Sequence, residues 1–200
     1  AGDMLYLPPE VAHYGIAESE CLTWSVGFRA PSDQELASGF LDYLGERLSL
    51  GGRYADPGLA PARSPGRIPD ALVAHVARTL SQVRARPGDA LDFAGRFLTE
   101  PKAHVYFNPP PRPLSPARFC AVARRRGIRL DARARLLHAR GRFFLNGEPV
   151  EAARGCAPWL RRLADSRTLR SIAGAPAALA DLAHRWYREG VLHLGEETKA

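Results

Sequence analysis

The chain has 200 residues, a formal charge of +7 and 46% hydrophobic residues, enough for one domain or two small ones. It has no run of about eighteen apolar residues, the length a membrane-crossing helix needs, and no membrane partner is expected. Cys21, Cys120 and Cys156 are odd in number, widely spaced and lack a Cys-x-x-Cys. That argues against a disulfide framework or a zinc ribbon and fits a reducing cytoplasm.

The first segment has no basic start and is broken by prolines, unlike a signal peptide. Met4-Leu5-Tyr6-Leu7 is apolar throughout, as in a strand covered on both faces. Pro8-Pro9 stop its ladder, because neither can donate a backbone hydrogen bond. A second strand is predicted over residues 21–28, with Leu22, Trp24, Val26 and Phe28 on one face. Cys21, Thr23, Ser25 and Gly27, small or polar, take the other, and His13 is delivered at the mouth of this strand. A small polar face beside a strand-borne histidine suits a metal pocket inside a barrel. A histidine at a strand start also often serves structure alone.

Ser32-Asp33-Gln34-Glu35 is a capping box, in which Ser32 accepts from the third helical amide and Glu35 reaches back. Leu36, Phe40, Leu41, Leu44 and Leu48 continue a helical stripe to Gly51-Gly52, and a Gly/Pro/Arg-rich loop runs to Ile68. Pro69 starts a helix with Leu72, Val73, Val76, Leu80 and Val83, closed by Pro87-Gly88. Asp89 is expected to cap a shorter helix carrying Leu91, Phe93, Phe97 and Leu98. Such helices make a thin core by themselves, which favours burial against a partner surface.

Asn108-Pro109-Pro110-Pro111-Arg112-Pro113 reads as a stiff, extended linker. Ser115-Pro116 caps the next helix, which holds Phe119, Cys120 and Val122 and ends at Gly127. Ile128 and Leu130 predict a short strand. Residues 136–139 and 142–145 predict two more, with Asn146-Gly147 a tight-turn signal before Glu148-Pro149-Val150. Trp159, Leu160 and Leu163 mark a helix, residues 177–189 another, and residues 191–194 a closing strand.

Charge is segregated. Residues 1–111 carry 10 basic and 13 acidic side chains, and residues 112–200 carry 18 basic and 8 acidic. Arg124, Arg125, Arg126, Arg129, Arg133 and Arg135, with Arg140 and Arg142 beyond, form a cluster suited to phosphate backbones such as RNA. The alternative is a solvated face enriched by an arginine-rich composition, which supplies 26 of the 28 cations. No Gly-x-Ser-x-Gly, phosphate-cradling loop or His-x-x-x-His spacing occurs.

Gly2-Asp3-Met4-Leu5-Tyr6 before Pro8-Pro9, a histidine four residues past the second proline, and Ser25-Val26-Gly27-Phe28-Arg29-Ala30-Pro31 have a joint parallel. They resemble the distal-histidine region of the JmjC-type cupin oxygenases. The likeness is closest to the bacterial ribosomal oxygenases that hydroxylate an arginine in a large-subunit ribosomal protein. The resemblance implies an α+β chain: a remnant of a double-stranded β-helix barrel (1–31), a helical dimerisation region (32–107), the Pro-rich linker (108–114) and a winged-helix-like domain (115–195). It implies Fe(II), held by a His-x-Asp pair and a distant histidine, with 2-oxoglutarate as co-substrate. Only the distant ligand has a counterpart here, His13, so the chain reads as a carboxyl-terminal fragment, inactive alone.

Thr23 and Ser25 would face the barrel interior and either bind the co-substrate or simply pack. Arg29 is read as a structural or rim residue, and Asp3 and Glu10 are read as strand-edge turn residues rather than iron ligands. The implied partners are a ribosomal protein substrate, ribosomal RNA and a second copy of the chain. For the helices, packing against the chain's own barrel is the alternative to dimerisation. The alternative for the whole chain is a non-catalytic, dimerising winged-helix module that binds nucleic acid or the ribosome.

Overall fold

The computed structural model describes residues 4–8, 11–26, 30–55, 58 and 64–195. Neither predicted amino-terminal strand forms among them: residues 4–8 and 11–26 are irregular and exposed. Leu22, Trp24 and Val26 are as open to solvent as their neighbours, with Trp24 84% exposed. A strand needs a neighbour to take its backbone hydrogen bonds, and no described segment pairs with these residues. Alternating pattern without a partner leaves an extended chain. Gly27, Phe28 and Arg29 lie outside the described residues, as do Asp3 and Glu10.

α1 (Asp33–Arg47) starts with the expected capping box, Ser32 and Glu35 satisfying each other's ends of the first turn. Its buried residue is Tyr43, whereas Leu41 and Leu48 of the predicted stripe are exposed. The reason is aromatic packing: Phe40 and Tyr43 meet Phe93 with ring centroids 5.5 and 6.0 Å away, and this turns the stripe. α2 (Asp70–Leu80) buries no residue, and Val73, Val76 and Leu80 all face solvent.

α3 (Asp89–Thr99) has Gly88, not Asp89, at its N-cap, because φ of 98° there is the left-handed region that glycine tolerates. Asp89 sits one residue inside, and its carboxylate accepts from the Arg86 amide at 2.6 Å. Gly95 on this helix lies against the ring of Phe144. Thr99, fully buried, donates its hydroxyl to the Gly95 carbonyl at 2.7 Å and accepts from the Gly147 amide at 2.9 Å.

The remaining elements are α4 (Pro116–Arg126), β1 (Ile128–Leu130), β2 (Leu136–Ala139), β3 (Arg142–Leu145), β4 (Glu148–Val150), α5 (Ala157–Ser166), β5 (Thr168–Leu169), α6 (Ala177–Arg188) and β6 (Leu192–Leu194). They build two antiparallel three-stranded sheets, β5-β1-β6 and the meander β2-β3-β4. Both meander turns use left-handed pairs, Arg140-Gly141 and Asn146-Gly147, whose positive φ suits a two-residue hairpin. α3 packs across the meander, so the Pro-rich stretch does not divide it from the sheet. That stretch is itself docked: the Leu114 carbonyl accepts from His184 Nε2 at 2.9 Å, and Gly190 backs directly onto Asn108.

The core lies among α4, α5, α6 and the two sheets. Phe119, Ile128, Leu160, Leu163, Leu169, Ile172, Leu179 and Leu192 are almost wholly buried there. Each such side chain contributes roughly 1.5–3 kcal/mol by leaving water. Ile128 and Leu130 face this core from β1, which leaves Arg129 on the outer face. That alternation decides where the strand's cation points.

Candidate metal-ligand segment and basic surface

His13 is exposed, and the ring Nδ1 lies 3.3 Å from the Val11 carbonyl. Thr23 and Ser25 are also exposed. Among the described residues no group of three or more His, Cys, Asp or Glu is arranged to hold a metal ion. The described residues therefore do not by themselves fit an iron site, since the His13 imidazole alone leaves the ion's remaining positions to water.

Three other histidines make structural contacts. His75 meets Tyr54 edge-on, and His184 bonds Leu114 and packs on Phe119. His138 pairs with Asp165 at 3.1 Å. A cleft of about 520 Å³ between α1, α3 and the β3–β4 turn is lined by Tyr43, Phe93 and Arg96 and holds none of the predicted ligands.

The arginine cluster divides into two sets. Arg133 forms a forked pair with Asp131, at 2.8 and 3.0 Å, and its guanidinium lies over the Phe107 ring. Arg142 pairs with Asp92 of α3 and covers Phe144. Arg126 donates to the Gly195 carbonyl at 3.0 Å, and Arg135 reaches the Leu98 carbonyl at 3.5 Å. These four hold the fold together. Arg124, Arg125 and Arg129 are exposed and make no side-chain hydrogen bond or ion pair with any described residue.

Sequence reasoning missed the hub of the first set. Asp131 is buried and accepts from the Arg133 amide and guanidinium and bonds His193 Nε2 at 2.9 Å. Hydrogen bonds from Arg133 hold its carboxyl well below the usual carboxylate range, against the opposing effect of burial. Arg167, left-handed at φ 61°, closes the same corner by donating to the carbonyls of Asp131 and Ala134. The signal was present: Asp131 is the one acidic residue between Glu100 and Glu148, amid arginines.

Residues 80–193 match the family described as ROXA-like winged helix, more than half of the chain. The chain belongs to the ROXA-like winged-helix family. Residues 1–36, which include His13, match the JmjC domain. The ribosomal protein uL16 3-hydroxylase of Escherichia coli K12 is 29% identical over 153 residues, covering 76% of this chain and 41% of that protein. A probable ribosomal oxygenase of Haemophilus influenzae is 43% identical over 58 residues, 29% of this chain and 12% of that one.

Two structures of YcfD, a ribosomal oxygenase from E. coli, one with cobalt and succinic acid and one with cobalt and 2-oxoglutarate, superpose with a TM-score of 0.61. At 23% and 22% identity, over 86% of this chain and 48% of theirs, they show the shared fold. The chain thus spans less than half the length of these family relatives. The resemblance to the carboxyl-terminal portion of JmjC-type ribosomal oxygenases holds for both the winged-helix and the JmjC match. No helix among the described residues is long and apolar enough to cross a membrane.

Proposed function

We propose that these residues form the carboxyl-terminal part of an Fe(II)- and 2-oxoglutarate-dependent oxygenase that hydroxylates an arginine side chain of a large-subunit ribosomal protein in the cytoplasm. The observation that carries the reading is the JmjC match across His13 (residues 1–36) followed in the same chain by the winged-helix match (residues 80–193). The E. coli relative, a hydroxylase of ribosomal protein uL16, supports the substrate class.

In this reading His13 supplies one iron ligand, and Thr23 and Ser25 hydrogen-bond the co-substrate. The other ligands lie outside these 200 residues, so the chain alone is inactive. The bare apolar face of α2, with Val73, Val76 and Leu80 in solvent, supports a helical region that pairs with a second copy. Arg124, Arg125 and Arg129, which pair with no described residue, support a nucleic-acid contact beside the protein substrate, which is also what a non-catalytic module would use.

The experiment is mass spectrometry of large-subunit ribosomal proteins from a strain lacking the gene. One arginine-containing peptide should be lighter by a single oxygen, and should stay lighter when His13→Ala replaces the wild-type full-length gene. Identical peptide masses in the wild-type and deletion strains would sink the enzyme reading and leave the binding module.

A further inference from the structure

We infer that the junction of α4 and the β5-β1-β6 sheet is a docking surface for the phosphate backbone of double-helical RNA, carried by Arg124, Arg125, Arg129 and Arg170. This rests on the ribosomal reading for the choice of RNA, but the surface is argued from its own geometry. Arg124 and Arg125 end α4 in exposed positions, Arg129 stands on the outer face of β1, and Arg170 follows β5 in an exposed position. The four bracket Gly127. A side chain at Gly127 would strike the backbone of Leu169 and Arg170, so β5 and the residues after it lie against the helix end. Ser171 fixes the same corner by donating to the Arg124 carbonyl at 2.6 Å.

The base beneath these arginines is rigid. The Gly127 amide donates to Ala123 at 2.9 Å, its carbonyl accepts from Gly195 at 3.0 Å, and Ile128 is fully buried. Their guanidinium groups make no hydrogen bond or ion pair among the described residues, whereas Arg133 and Arg142 in the same half are paired. Four exposed guanidinium groups are thus carried around one tightly packed junction.

The chemistry of the surface selects the polyanion. Arginine presents a planar fork that grips phosphate oxygens in pairs. Beyond Tyr106, the described residues include one large apolar side chain that is exposed, Leu137. A membrane-surface site needs apolar side chains to enter the lipid. A single-strand site needs open aromatic rings on which bases stack. Neither is offered here, which leaves a duplex backbone read by charge. The outer position of Arg129, between Thr168 and His193 on the neighbouring strands, adds polar groups and no reader of base edges. Binding is therefore largely indifferent to sequence.

The test uses the 200-residue chain and a fluorescein-labelled RNA duplex of about two helical turns, followed by anisotropy across a potassium chloride series. Log affinity should fall linearly with log salt. The combined Arg124→Gln, Arg125→Gln, Arg129→Gln variant should lower the slope by about 2–3, since each lost phosphate contact removes roughly 0.9. Arg78→Gln, on the exposed helix α2, should leave the slope unchanged. Circular dichroism melts confirm that each variant is folded, and Arg170→Gln alone, lowering the slope by about 1, repeats the test should the triple variant unfold.

An unchanged slope in both variants, or no RNA binding at low salt, overturns the inference. Tighter binding to phosphatidylserine vesicles, to polyglutamate or to the matching DNA duplex than to RNA overturns it as well and identifies the alternative partner. None of these readings depends on hydroxylation, so failure here is distinct from failure of the enzyme proposal.

Discussion

Gly95 of α3 lies flat against the Phe144 ring of β3, so close that a Cβ on residue 95 would fall inside the ring's van der Waals envelope. This contact lets the helix settle on the meander, and it ties a helix that precedes the Pro-rich stretch to the sheet that follows it. Gly95→Ala should destabilise the protein by about 1–3 kcal/mol, the usual cost of overpacking. Phe144→Leu in the same chain should recover part of that loss, read as urea midpoints of the two single variants and the double variant. Independent, additive effects would show that the two residues do not meet.

Thr99 fastens the far end of the same helix. Thr99→Val keeps the shape but leaves the Gly147 amide without the acceptor that now sits 2.9 Å away. A loss of about 1–3 kcal/mol is expected, with faster amide exchange at Gly147. Unchanged exchange there would count against the bond.

Asp131 sets an acid limit on stability. Its folded pKa lies below the unfolded value, mainly because Arg133 donates to its carboxylate. The folded state therefore binds fewer protons than the unfolded one as pH falls below about 4, and stability drops in that window. Above it the contribution is fully present. Asp131→Asn should weaken the protein at neutral pH and flatten the acid limb of a urea-midpoint profile between pH 5 and about 2. Parallel profiles for both proteins would contradict this.

Phe119 anchors the helical side of the core, wholly buried with its ring centroid 5.0 Å from Tyr187 and 5.3 Å from His184. Phe119→Ala should cost about 3–5 kcal/mol. Tyrosine fluorescence and far-ultraviolet dichroism should report the same midpoint shift.

Titration of the 200-residue chain with Fe(II) or Co(II) under anaerobic conditions should show no tight stoichiometric binding, because His13 stands alone among the described residues. His13→Ala should leave its melting curve unchanged, since the ring's recorded contact is with the nearby Val11 carbonyl. A sharp one-to-one endpoint would mean that this chain carries a complete metal site.

The sequence by itself determined what depends on neighbours along the chain. The Ser32 and Ser115 caps, the Asn146-Gly147 turn, and the helices and strands from Pro116 to Leu194 other than β5 follow from local hydrogen bonding and periodicity. So does the JmjC motif around His13, which is a matter of residue order. The tertiary structure decided what depends on distant residues. It gave α3 to the meander, left α2 bare, and withheld strands from residues 4–8 and 11–26 because no described residue pairs with them. It formed β5, whose two residues are too short for a pattern to show. Above all it sorted like arginines into unlike roles: Arg133 and Arg142 meet carboxylates, whereas Arg124, Arg125 and Arg129 meet none among the described residues. Charge is written in the sequence, but whether a charge is already neutralised is a question of distance, and folding sets the distances.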